Sequence, residues 1–300
     1  MRGLGLVAAA LALVAVMLYG TVQSNRPLPP QPLPSPNGYD DFLKAGQLVV
    51  GNPDDPSLSQ EELRELLARN AEALKLVKQG LTRTCHVSAR FAVANFSTHM
   101  SELASFKRLA YLLVAEGRLA ELERRSNDAM QSYLEAYRFG QESCRGGLVI
   151  DKLVGIACQA IGIKALQKTA PGLDASHCRA AIRALEKALT EGELRGEIMD
   201  HEKKWSRENR RLLDSIRVMI AIRSLNPMKQ TETQLTAKMR DIEVLSKRLM
   251  IDLAGRAYEL EQGKPPSNLA DLVPAYLHAT PIDPGTGTNL IYLPRLPGPQ

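Results

Sequence analysis

The chain opens on an unbroken apolar block and then changes to a long series of helical stripes. Residues 3–22 carry no charged side chain, and Leu, Val, Ala and Met fill most positions. About 20 such residues, rising about 1.5 Å each, match a hydrocarbon core of about 30 Å. The pattern predicts a transmembrane helix, with residues 1–25 as a membrane anchor. A cleaved export signal, cut after Ser24, is the competing reading. Arg2 holds the amino end on the cytoplasmic side, so either reading sends the rest of the chain out of the cytoplasm.

Residues 26–38 form a Pro-rich linker, read as a polyproline spacer of about 3.1 Å per residue. From there the period becomes helical, and residues 39–262 read as one helical domain. A first short helix, 39–50, offers Phe42, Leu43 and Leu48, and Gly51-Asn52-Pro53 breaks it. Ser59 and Glu62 form a capping box for a helix with Leu63, Leu66, Leu67, Leu74 and Val77 on one face, ending at Gly80. Residues 82–98 are irregular and include a β-leaning run at 91–93. Helices follow at 100–124 and 127–141.

The stretch 148–166 is apolar on nearly every side, which predicts a central helix. Asp151, Gly155, Cys158 and Gly162 share one stripe of it, so Gly155 and Gly162 are expected at a close helix–helix contact. Asp151 reads as a polar group satisfied by backbone near the helix start, or as a buried acid at a site. Asp174 caps a helix over 175–191 with Cys178, Ile182, Leu185 and Leu189 inward. Two longer helices span 193–225 and 233–261. The first carries Leu194, Ile198, Trp205, Leu212, Ile216 and Met219 inward, with Arg207, Arg210 and Arg211 on a solvated face. Residues 263–300 form a tail of short turns, one brief helix after Ser267 and a strand at 290–293. The expected fold is therefore mainly α: an N-terminal transmembrane helix, an irregular antiparallel helical array and a small C-terminal α+β tail.

Two partial family resemblances appear. Gly117, Ala129, Tyr133 and Ala136 fall at the small, small, aromatic and small positions of the tetratricopeptide repeat. Glu116 and Ala120 depart from that pattern, and no second copy lies about 34 residues away. The resemblance implies an antiparallel helix pair. In the tail, Tyr258-Glu259-Leu260-Glu261-Gln262-Gly263, Pro265 or Pro266, Leu269, Leu272, Tyr276-Leu277, Pro281, Asp283-Pro284, Gly287 and Tyr292 resemble the distal part of the G-type pseudopilins of type II secretion. The pilin processing signal is missing and the chain stops before that family's calcium-binding loop. The resemblance therefore implies a small folding unit and no calcium ligands.

Composition narrows the function classes. Hydrophobic residues make up 44% of the chain, enough for a sizeable core. Aromatic residues are only 5%, with Trp205 the single tryptophan, which argues against stacking platforms for nucleic acid. The net charge of +5 is spread through interleaved acids and bases, so no nucleic-acid partner is expected. Of the four cysteines, Cys85 and Cys178 lie near helix boundaries and are the pair expected to form a disulfide. Cys144 and Cys158 on one continuous helix would stand about 21 Å apart, and only a sharp turn at Gly146-Gly147 would let them meet.

Cys85-His86 with His177-Cys178 lacks the ligand spacing of structural zinc, and Glu197 with His201 reads as a surface face. No metal and no cofactor is expected. Nucleophile elbows, phosphate loops and dinucleotide fingerprints are missing, so no catalytic residue is nominated. Asn95-Phe96-Ser97 is a formal glycosylation sequon. The expectation is a single-pass protein of the cell membrane, its bulk extracytoplasmic, with a structural or protein-interaction role in the envelope and a protein partner. An accessory part of a secretion or pilus-like assembly is the first alternative. An exported hydrolase or ligand-binding protein is the second.

Overall fold

The computed structural model describes residues 32–88, 96–208 and 227–292. The expected anchor, most of the linker, the run at 91–93, Asn95 of the sequon, and Arg210, Arg211, Leu212, Ile216 and Met219 lie outside them. Among the described residues no helix is long and apolar enough to cross a membrane. These residues form nine α-helices: α1 (Gly38–Leu48), α2 (Gln60–Arg69), α3 (Ala71–Leu81), α4 (Phe96–Leu122), α5 (Ser126–Glu142), α6 (Val149–Thr169), α7 (Ala175–Thr190), α8 (Arg195–Glu208) and α9 (Pro227–Gln262). The molecule is mainly α.

Side-chain chemistry places the first boundaries. Asn37 caps α1 by accepting from the Tyr39 amide at 3.2 Å. The Asn37 side chain also exchanges two hydrogen bonds with the His86 backbone, accepting from its amide at 3.0 Å and donating to its carbonyl at 2.8 Å. The Gly38 amide donates to the Thr84 carbonyl at 3.0 Å, so the entry to α1 is clipped to residues 84–86. Ser59 and Glu62 complete the capping box of α2. The apolar stripe then continues, but the helix does not: it breaks at Asn70. That residue's side chain accepts from the Val50 amide and donates to the carbonyls of Val50 and Leu66. Tying one helix end to the loop after α1 replaces the intrahelical bonds lost at the break.

α4 and α5 form an antiparallel pair. Arg124 takes a left-handed backbone (φ 60°), and the Arg125 amide reaches back to the Ala120 carbonyl at 2.8 Å. This is a Schellman closure with arginine where glycine is usual. Gly117 lies against the ring of Tyr133: a Cβ added there would meet the ring at 2.3 Å.

α6 is the central element, packed against α4, α5, α8 and α9, with its most extensive contact on α5. That contact is made by backbone. A Cβ on Gly155 would lie 2.5 Å from the Gly140 carbonyl oxygen, and one on Gly162 would lie 2.6 Å from the Tyr137 amide nitrogen. Helices that touch main chain to main chain exclude any larger residue along the seam.

Two main clusters form the core. In the first, α1, α3, α4 and α5 surround Phe42, Phe106 and Phe139, whose rings meet edge-to-face at centroid distances of 4.9 and 5.8 Å. The second joins α5, α6, α7 and α9 with the tail residues Leu272, Leu277 and Leu290.

Two expectations are corrected. None of the four cysteines is in a disulfide, and all four are buried. Cys85 belongs to the first cluster and Cys178 to the second, so the expected bridge between them does not form. Proximity to a helix boundary carried no information about which boundary lies beside which. The tail, moreover, has no strand among its described residues. It holds a 3₁₀ turn at Leu269–Leu272 and a single antiparallel bridge, Ile282 to Asn289. Pro281 and Pro284 have no amide to extend a ladder, and Gly287 (φ 70°) closes the turn tightly with its amide on the Asp283 carbonyl.

Candidate functional site

The most chemically loaded cluster lies at the start of α6. Asp151 accepts from the Leu148 amide at 2.8 Å with one carboxylate oxygen, capping the helix. Its other oxygen faces His99 Nε2 at 2.9 Å, while Glu102 faces His99 Nδ1 at 3.4 Å. His99 is 3% exposed and Asp151 1% exposed. Burial opposes charge on the imidazole, but the hydrogen bonds and charges of Asp151 and Glu102 outweigh it, and the His99 pKa is raised above its ordinary value.

A ring with a carboxylate at each nitrogen has no nitrogen left to take a proton from a substrate, which a general base requires. The cluster acts as a charged lock joining α4 to α6. Tyr39 of α1 lies in the same electrostatic field. Burial and the nearby Asp151 charge raise its pKa, so the phenol stays protonated. Asp151 is thus a buried polar group satisfied by backbone at the helix start, the first of the two readings of its position. His99 was not singled out, because its partner lies 52 residues away and only Glu102, three positions on, left a local trace.

The thiols are held inert in the same way. Burial pushes Cys85 and Cys158 up to about 12 and Cys144 up to about 11. A nucleophilic cysteine needs the opposite shift. No group of three or more His, Cys, Asp or Glu among the described residues is arranged to hold a metal. Of the four residues weighed as a zinc set, His177 pairs with Asp174 at 2.8 Å, whereas the His86 ring lies 6.2 Å from that of His201, tilted by 60°. Glu197 caps the Leu194 amide at 2.9 Å instead of joining His201.

One feature open to solvent is a groove between α7, α9 and the tail, of about 540 Å³. Its position follows from how the tail docks. Arg179 of α7 binds Glu261 of α9 through two bonds (3.0 and 2.7 Å) and donates to the Ala275 carbonyl at 2.7 Å. The guanidinium also lies 4.3 Å from the centroid of the Tyr276 ring, whose hydroxyl donates to Glu261 at 2.8 Å. Lys247 reaches the Ile282 carbonyl at 2.9 Å.

Leu189, Met250 and Pro281 line the groove; Ile282 stands at its edge, 46% exposed. Arg183, Lys187 and Lys247 supply positive charge, and the single acid, Glu186, accepts from the His278 amide at 3.2 Å. Sequence reading placed Leu189 on a core stripe of α7 without joining it to the tail. Gly155 and Gly162 lie in the α5–α6 seam, away from this surface. Comparisons with protein-family models, curated proteins and solved structures found no match.

Proposed function

We propose that this protein is a membrane-tethered, extracytoplasmic helical protein with a structural or protein-interaction role in the cell envelope. The observation that carries the interaction role is the groove, an apolar cleft with a mainly basic rim built from three separate elements. The tether rests on the uncharged block at residues 3–22, which is long enough to span a bilayer.

In-cell photo-crosslinking tests the role. A benzophenone side chain at Ala279, on the groove wall, is expected to give a discrete adduct heavier than the chain itself, whose second component mass spectrometry identifies. The same probe at Glu72, on the outside of α3, is expected to give none. Adducts from neither position, nor from a scan of the remaining surface, would rule the role out. Carbonate-resistant pelleting with the domain accessible to external protease tests the tether and its orientation. The tail's likeness to G-type pseudopilins supports a narrower alternative, an accessory part of a secretion or pilus-like assembly. Recovery of pseudopilins in the Ala279 adduct would select it.

A further inference from the structure

The outward side of α7 and the loop at 278–282 face each other across an open cleft with Met250 of α9 between them. The cations along it differ in how far they are already committed. Lys247 is used within the fold: it pairs with Glu243 at 2.6 Å and holds the Ile282 carbonyl. Lys187 is 72% exposed and approaches Glu191 only at 3.8 Å, a separation with little hold in water. Arg183 makes no ion pair among the described residues. Two uncommitted cations therefore stand one helical turn apart beside an apolar cleft. Its lip is an exposed isoleucine, the type of side chain that gains most from being covered.

We propose that this groove docks a partner protein through an acidic-aliphatic segment. A branched aliphatic side chain of the partner seats against Leu189, Met250 and Ile282. A carboxylate within a turn of it pairs with Arg183 and Lys187. The inference rests on the reading of the chain as an interaction protein and names the chemistry of the segment it takes.

Charge complementarity selects this occupant. Arg183 and Lys187 attract an anionic group, and a cleft open along its length gives an acyl chain no enclosed tunnel. A peptide meets the polar groups along the walls, Thr190 and Thr280, with its own backbone. Met250 lets the floor adapt to more than one aliphatic shape, because the thioether side chain is unbranched and flexible. The volume lies within the roughly 300–1,000 Å³ of ligand clefts.

The test is selection from a random dodecapeptide display library on the full chain in detergent micelles. Enrichment of sequences that place Asp or Glu beside Leu, Ile or Val is expected. Their binding should weaken by about tenfold or more in Ile282→Asp, the loss of one buried aliphatic contact. It should weaken by about threefold to tenfold in the doubly reversed Arg183→Glu, Lys187→Glu chain, and the reversed chain should instead enrich Lys- and Arg-bearing peptides. All three positions are exposed, so the variants fold, and an unchanged melting midpoint checks this.

No enrichment, or enriched peptides that bind Ile282→Asp as well as the parent, would overturn the proposal. Displacement of the peptides by phosphatidylglycerol vesicles but not by phosphatidylcholine vesicles would also overturn it, in favour of an anionic lipid. If selection fails while crosslinks arise elsewhere on the surface, the groove proposal falls and the interaction role stands. If crosslinking fails everywhere, the role itself falls.

Discussion

Replacing Gly162 with alanine adds one methyl group at the α5–α6 seam, where two effects of opposite sign compete. Inside a helix alanine is favoured over glycine by about 1 kcal/mol. Against this, the new Cβ would lie 2.6 Å from the Tyr137 nitrogen, 2.7 Å from the Tyr133 carbonyl oxygen and 3.1 Å from the Ala136 carbonyl carbon. All three are main-chain atoms, which have no rotamer to turn away. Restoring ordinary contact requires the helices to part by roughly 0.8 Å, and a close-packed interior yields little. Overpacking of this kind costs about 1–3 kcal/mol, leaving a net loss of about 0–2 kcal/mol after the helical preference is set against it.

At about 2–4 °C per kcal/mol for a domain of this size, Gly162→Ala should lower the melting midpoint by up to about 8 °C. Gly196→Ala in α8 is the control, because a Cβ there meets nothing within 4 Å. It should raise the midpoint through propensity alone. Calorimetry of the three chains decides the matter: a midpoint for Gly162→Ala above the parent's would refute the backbone seam. Combining Gly155→Ala with Gly162→Ala should cost less than the two single changes together, since helices already parted have less left to lose.

Other outcomes follow from the polar groups and the backbone. Because the His99 pKa is raised in the folded chain, the stability His99 adds is fully present below its unfolded value of about 6.5 and is lost as pH rises through the folded value. Urea unfolding should therefore show the gap between parent and His99→Gln narrowing from pH 6 to pH 9, and a constant gap would remove the charged lock. Arg124→Gly should stabilise by about 0.5–1 kcal/mol, because glycine takes the left-handed backbone without steric cost; a lower urea midpoint would contradict that account. The four buried thiols should resist iodoacetamide in the folded protein and give four adducts under denaturant without reductant. An intact mass showing two adducts would restore a disulfide.

What the sequence made legible was local. Ser59 with Glu62, and Asp174 with the His177 amide, are contacts within three residues, and both appear in the structure at the positions read from the pattern. The glycine stripe of α6 was visible because helical period alone groups Gly155 with Gly162. The break at Asn70 was not visible, since the apolar stripe runs through it and the group that stabilises it, Val50, lies 20 residues back. The same limit hid His99 beside Asp151 and separated Cys85 from Cys178. In the tail, the apolar run at 290–293 suggested a strand, but only the bridge between Ile282 and Asn289 forms: Leu290 and Tyr292 pack on the core, Ile291 is 78% exposed, and Pro281 and Pro284 have no amide to extend the ladder. The groove was hardest of all: Arg183 and Ile282 belong to an amphipathic helix and a turn, and neither pattern refers to the other.

The clip at Asn37 has a mechanical consequence. A pull on the chain ahead of this residue does not peel α1 from its first turn. It arrives at Asn37 and Gly38, where two side-chain bonds and one backbone bond to residues 84–86 bear it together. Bonds strained in parallel fail as a set, at higher tension than bonds undone one after another. A load applied ahead of Asn37 therefore passes into the body of the domain through residues 84–86, leaving the first turn of α1 unloaded.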